Sequence, residues 1–338
     1  MKKKSICAIG IICILSLTGC ASAVVSTDNE QIPCSSGNCT DSQNRDSVPD
    51  SSASLDTSKV GTRDNTPTVL IPDASGTNTL TCKVATVDIS NASDGYIMVK
   101  YTGTSNKVKL LLVCPSPSDP KSTTQYTYTL TPGADYETFP LTSSGTYTVS
   151  VCENVKGQEY RAALSENIDL RVNNEFGPYL YPNQYIWFTS DYKVVDKAEA
   201  LAQSADNDME VVEAIYNYVI QNTSYDHDLA ENVKSGYLPN VDTTLSTGKG
   251  ICLDYSALMC SMLRSQGIPC RLEVGNAGTA YHAWISTYID EIGWVSGIIY
   301  FDGEDWSLMD PTFASSTDPE KLKEYIGDGD NYTTKYIY

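Results

Sequence analysis

Gly248-Lys249-Gly250-Ile251-Cys252-Leu253-Asp254-Tyr255-Ser256-Ala257-Leu258 places glycines before a cysteine and helix-forming residues after it. The spacing of Ala257, Leu258, Met262 and Leu263 predicts a helix with a core-facing stripe that runs to about Gln266. Gly267 is its left-handed stop, and Pro269 blocks continuation. Cys252 then falls at the helix N-terminus. There the positive end of the helix dipole and unpaired backbone N–H groups favour the thiolate, the nucleophilic form. The glycines permit close approach of a substrate chain.

Two further segments follow. Tyr281-His282-Ala283-Trp284-Ile285-Ser286-Thr287-Tyr288 alternates as a strand, with His282, Trp284, Ser286 and Tyr288 on one face. Trp306-Ser307-Leu308-Met309-Asp310-Pro311-Thr312 puts Asp310 at a strand end before a proline. A cysteine on a helix start, then a histidine and a carboxylate from strands, is the order a Cys-His-Asp triad needs. The imidazole removes the thiol proton, and the carboxylate orients the imidazole and stabilises its charged form. Taken singly, Cys252 reads as a buried structural thiol, His282 as a strand histidine facing solvent and Asp310 as a turn cap. Their order is what lifts them above those readings.

These segments, with Gly267-Ile268-Pro269-Cys270-Arg271, resemble the bacterial transglutaminase-like superfamily. The resemblance covers about residues 176–338. It implies an α+β, papain-like transglutaminase core in which Cys252, His282 and Asp310 are catalytic. It also implies an enzyme that acts on carboxamide or peptide bonds through a thioester, by hydrolysis or amine transfer. Members preceded by a sandwich domain on a lipoprotein tether occur in this superfamily. Two departures stand out: Cys270 occupies a position that is often alanine, and the interval from His282 to Asp310 is long, with an inserted turn expected over 291–297. A non-catalytic cell-envelope binding or organising protein with a papain-like cleft is the alternative from another functional class.

Upstream of the core, residues 79–175 show short period-2 segments: Thr81 to Ile89, Tyr96 to Tyr101, Val108 to Val113, Tyr126 to Leu130, Thr146 to Cys152 and Ile168 to Val172. Turn-forming runs such as Asn91-Ala-Ser-Asp-Gly95 separate them, which predicts an antiparallel β-sandwich of the Ig-like kind. Cys82, Cys114 and Cys152 there read as small buried hydrophobes, with one disulfide pair as the alternative. After Phe176-Gly177-Pro178 the period turns helical, over Val194 to Ala205 and Asp208 to Thr223, with Asn207 and Glu210 in a capping arrangement.

The first nineteen residues read as an address. Met1-Lys2-Lys3-Lys4 and the apolar run from Ile6 to about Leu17 are too short for a permanent span. Leu17-Thr18-Gly19-Cys20 resembles the lipobox of bacterial lipoprotein precursors, which implies a lipid on Cys20 and anchorage on the extracytoplasmic face of the cell membrane. Residues 20–78, rich in Ser, Thr, Asp and Asn, read as a disordered tether, within which Cys34 and Cys39 could close a small disulfide loop.

The chain has 338 residues with 42 acidic against 23 basic, a net charge of -19. Loss of the three leader lysines would leave -22. That balance argues against nucleic acid, whose binding relies on clustered Lys and Arg. With only two histidines a multi-histidine metal site is nearly excluded, and the acidic residues lack calcium-loop spacing, so the expected mechanism is cofactor-free. The expected partners are a protein or peptide substrate, in a cell-wall setting, and the membrane through the lipid.

His227, between Asp226 and Asp228 in a polar loop, is expected to be exposed. Tyr225-Asp226 is a candidate for lining the cleft. Cys260, two turns along the helix from Cys252, is too distant to bridge to it and reads as core. The backbone N–H of Cys252 is the natural first oxyanion donor. Papain relatives supply a glutamine six positions before the cysteine, where this chain has Ser246; Gln184 and Tyr225 remain open for that role.

Overall fold

In the computed structural model, residues 60–277, 280–290, 292–296, 300–301, 306–307 and 332–338 are described. The leader, Cys20, the Cys34–Cys39 loop and Asp310 lie outside them.

The alternating segments form eight strands: β1 (Thr79–Thr81), β2 (Ala85–Asp88), β3 (Tyr96–Tyr101), β4 (Val108–Pro115), β5 (Thr123–Leu130), β6 (Glu137–Pro140), β7 (Gly145–Lys156) and β8 (Glu159–Leu170). They make two antiparallel sheets, of order β1-β2-β3-β6 and β5-β4-β7-β8. The chain crosses between the sheets after β3, β5 and β6, so β6 returns to β3 and β7 to β4. On β5, Tyr126, Tyr128 and Leu130 point inward while Thr127 and Thr129 do not. The ring of Tyr128 meets Phe139 of β6 across the interior at 4.7 Å. At the crossing into β7, the Tyr147 hydroxyl donates to Ser143 O at 2.8 Å. This is the tyrosine corner found at that crossing in immunoglobulin-type sandwiches. Cys114 and Cys152 are buried thiols and Cys82 a half-buried one, and burial pushes the Cys114 thiol up to about 11.

The second half is built around one helix. The helices are α1 (Lys193–Ala202), α2 (Asp208–Asn222), α3 (His227–Asn232), α4 (Val241–Thr247) and α5 (Cys252–Ser265). Asn207 caps α2, its side chain accepting from Glu210 N at 3.0 Å. The remaining strands are β9 (Ser224–Tyr225), β10 (Lys249–Gly250), β11 (Cys270–Ala277), β12 (Ala280–Ile289), β13 (Gly293–Ser296), β14 (Tyr300–Phe301), β15 (Trp306–Ser307) and β16 (Tyr332–Ile337). The main antiparallel sheet has the order β13-β12-β11-β16. The turn expected over 291–297 is thus partly strand: β13 extends β12 into a hairpin, with Tyr288 opposite Trp294.

Helix α5 contacts α1, α2 and α4 as well as β11 and β12. All fourteen of its residues are buried, where the sequence suggested a single core-facing stripe. A helix covered on every side has to satisfy its polar groups locally. Ser261 and Ser265 donate to Leu258 O and Met262 O. Arg264, fully buried, donates to Cys270 O at 3.0 and 2.7 Å, to Tyr181 O at 2.8 Å and to Tyr338 O at 2.9 Å.

Residues 61–68, expected within the tether, lie along this helical unit. Gly61 N donates to Gln203 O, Arg63 pairs with Asp208 at 2.6 Å, and Thr68 N donates to Ser265 O at 2.7 Å. Arg63 also donates to Gln266 O at 2.7 Å. The segment thereby supplies donors to carbonyls that the end of α5 leaves unpaired. Tyr338 joins the two halves. Its backbone pairs with Leu272 in both directions, and its ring sits 5.6 Å from Tyr126 and 4.3 Å from Tyr185.

Candidate active site

Cys252 is the first residue of α5, and its neighbours explain why the local sequence reads as it does. Asp254, two residues into the helix, folds its carboxylate back so that Oδ2 accepts from Ile251 N at 2.9 Å. That bond satisfies a donor at the helix start and holds the backbone immediately before Cys252. Oδ1 of the same carboxylate accepts from the Tyr237 hydroxyl at 2.7 Å. Burial raises the Asp254 carboxyl above its ordinary range despite these two donors. Gly250 is required by the same fold-back, since a Cβ there would stand 2.6 Å from Asp254 Cβ. Gly248 closes α4 at φ +62°, the left-handed conformation that glycine adopts without penalty.

The two-residue strand β10 pairs in parallel with β9, so Tyr225 lies opposite Gly250, two residues from Cys252. Asp226 N donates to Gly250 O at 2.9 Å, and the Asp226 side chain caps α3 by accepting from Leu229 N. The stretch read as a polar loop is therefore a short strand and the start of a helix, placed beside the cysteine. His227 begins α3, is exposed, and carries its ring 5.1 Å from that of Tyr225.

His282 lies on β12 opposite Gly275 of β11. It shares a strand face with Trp284 and Ser286, whose hydroxyl bonds the Glu273 carboxylate. On the other face Cys270 meets Cys260 of α5, and the Thr287 hydroxyl approaches the Cys270 sulfur. The imidazole thus stands at the end of the hairpin and not beneath the helix.

Cys260 touches Cys270, and a four-residue link joins the end of α5 to β11. Cys252 thus lies about 12 Å along α5 from that contact, and His282 lies opposite a residue about 16 Å along β11 from it.

His282 is 9% exposed, and burial lowers its imidazole from 6.5 to about 4. It is accordingly neutral at pH 7 and able to accept a proton. Its Nε2 is buried and has no hydrogen-bond partner among the described residues. A buried ring nitrogen left in that state costs free energy unless another group meets it. Asp310, the third residue expected here, lies outside the described residues.

Of the candidate oxyanion donors, Gln184 is committed elsewhere: its Nε2 donates to Thr129 O at 2.7 Å and to Glu137 at 3.2 Å. Ser246 is exposed on α4 and bonds to Thr243 O of its own helix. Tyr225 stays beside the cysteine segment. Asp254 and Tyr237 escaped the sequence reading, although an acidic residue in the first turn after Cys252 was a visible capping signal.

Residues 195–297 match the core of the transglutaminase-like superfamily. The uncharacterized protein YebA of Bacillus subtilis (strain 168) is 27% identical over 177 residues, which are 46% of this chain and 23% of YebA. The chain thus spans about a quarter of that relative's length. Among solved structures, a candidate cysteine protease from Cytophaga hutchinsonii is 16% identical, covering 60% of this chain and 77% of that one, with a TM-score of 0.33. The periplasmic domain of TgpA from Pseudomonas aeruginosa is 15% identical, covering 76% and 80%, with a TM-score of 0.29.

Proposed function

With residues 195–297 forming a transglutaminase-like core, we propose that the chain is a cysteine acyltransferase or hydrolase using Cys252, His282 and Asp310. The observation that carries the reading is His282. It is a buried neutral imidazole on β12, a strand that contacts the helix beginning at Cys252, and its Nε2 lacks a partner among the described residues.

In this mechanism His282 takes the Cys252 thiol proton as the sulfur attacks the carbonyl carbon of a carboxamide or peptide. The carbonyl oxygen becomes an oxyanion held by the Cys252 backbone N–H at the start of α5. Collapse breaks the C–N bond, and the imidazolium returns its proton to the departing ammonia or amine, leaving a thioester. Water or a second amine then attacks the thioester, with His282 taking its proton. The Cys252 thiol is released with an acid or a new amide. Asp310 meets Nε2, fixes the tautomer and stabilises the imidazolium. Asp254 and Tyr237 act indirectly, by fixing the backbone at Ile251.

The setting proposed is extracytoplasmic, with a lipid on Cys20 anchoring the protein near wall-associated protein or peptide substrates. The leader and lipobox-like sequence support this setting. Among the described residues no helix is long and apolar enough to cross a membrane.

The test is the rate at which a thiol-directed electrophile labels Cys252 at neutral pH, read by peptide mass spectrometry. The wild-type protein is expected to label at least tenfold faster than His282→Ala. Equal labelling at the slow rate of an ordinary thiol would reject the reading.

A further inference from the structure

Cys260 on α5 and Cys270 at the start of β11 bring their sulfur atoms to 3.0 Å. This is well inside van der Waals contact for two sulfurs and about 1 Å longer than a disulfide bond. Both residues are fully buried, and Thr287 Oγ1 approaches Cys270 Sγ at 3.7 Å. No other described cysteine competes: Cys252 lies two turns back along the helix, and Cys82, Cys114 and Cys152 belong to the sandwich.

We propose that Cys260 and Cys270 are an oxidation site, joined as a disulfide when the protein folds in the presence of a disulfide donor. The sulfurs have no access to solvent in the folded chain, so the bond forms as α5 docks on β11. One cysteine thiolate attacks the donor disulfide and expels one donor thiolate, giving a mixed disulfide. The second cysteine thiolate attacks the protein sulfur of that intermediate and expels the second donor thiolate. Two protein thiols thus lose two protons and two electrons, and the donor disulfide becomes two thiols.

The link closes a loop of about ten residues that contains the turn from α5 into β11. It staples the helix that begins at Cys252 to the hairpin that carries His282, at the end where Arg264 already ties α5 to Cys270 O. The inference rests on sulfur geometry alone and stands whether or not Cys252 is a nucleophile.

The test refolds the full chain from a reduced, denatured state in a glutathione redox buffer or in dithiothreitol. Each sample is alkylated while denatured, digested and read by mass spectrometry, with thermal unfolding measured in parallel. The glutathione sample is expected to contain the Cys260 peptide linked to the Cys270 peptide. It should melt about 5 °C or more above the dithiothreitol sample. Cys270→Ala, which keeps a small buried side chain, should melt at one temperature in both buffers. Recovery of both cysteines as alkylated thiols from glutathione, a link from either of them to another cysteine, or identical melting in the two buffers would overturn the proposal.

Discussion

Replacing Arg264 by Met tests whether the helix that begins at Cys252 is held in place by polar anchoring at its far end. The guanidinium is buried among three backbone carbonyls, those of Cys270, Tyr181 and Tyr338, which it bonds at 2.7 to 3.0 Å. Methionine retains much of the apolar stem and supplies no donor. Each orphaned buried acceptor costs about 1–3 kcal/mol, so the three together cost at least about 3 kcal/mol. Relief of the buried guanidinium's desolvation offsets part of this. A net loss of about 2–4 kcal/mol is expected, a large share of the 5–15 kcal/mol typical of a native domain. All four tryptophans, Trp187, Trp284, Trp294 and Trp306, lie in the helical half, so their fluorescence reports urea unfolding of that half alone. With an m-value of about 2 kcal/mol/M, the midpoint should fall by about 1–2 M. A midpoint within 0.2 M of wild type, or above it, would refute the reasoning; it would mean that desolvation of the buried charge outweighs its three hydrogen bonds.

Burial lowers the His282 imidazole to about 4 in the folded chain against about 6.5 unfolded. Its folded pKa is depressed, so stability is full above pH 6.5 and is lost as pH falls toward 4, by about 3 kcal/mol. Asp310→Ala should lose more than wild type, because it removes the carboxylate proposed to stabilise the imidazolium at Nε2; superimposable stability curves for the two proteins would dismiss Asp310 as that partner. Gly250→Ala should displace the Asp254 carboxylate and slow electrophile labelling of Cys252 at least tenfold, and a wild-type rate would show that the fold-back is dispensable. Tyr147→Phe should cost the sandwich about 1 kcal/mol through loss of the bond to Ser143 O, read as a lower midpoint of unfolding followed by circular dichroism. An unchanged midpoint would mean that the corner bond contributes nothing net.

By itself the sequence determined the local backbone states: a helix beginning at Cys252 and stopping at Gly267, an alternating strand through His282, and a run of short strands before residue 176. These follow from side-chain period, glycine and proline, which act within a few residues. The match of the core to the transglutaminase-like superfamily was legible on the same motifs. The eight strands include two the alternation did not reveal, β1 and β6; at three and four residues they are too short to show a period.

What only the tertiary structure decided are the contacts between surfaces distant in the chain. β9 and β10 pair residues 25 positions apart and bring Tyr225 to Gly250, because two short strands leave donors and acceptors that each can satisfy only in the other. Gln184 could not be removed from the oxyanion candidates until its amide was seen bonded to the sandwich. Residues 61–68 have no periodicity, and they dock because the end of α5 offers unpaired carbonyls. Cys260 and Cys270 each read as a small core residue. Their meeting follows from the angle at which a helix buried on all sides lies against its hairpin, and period and composition carry no information about that angle.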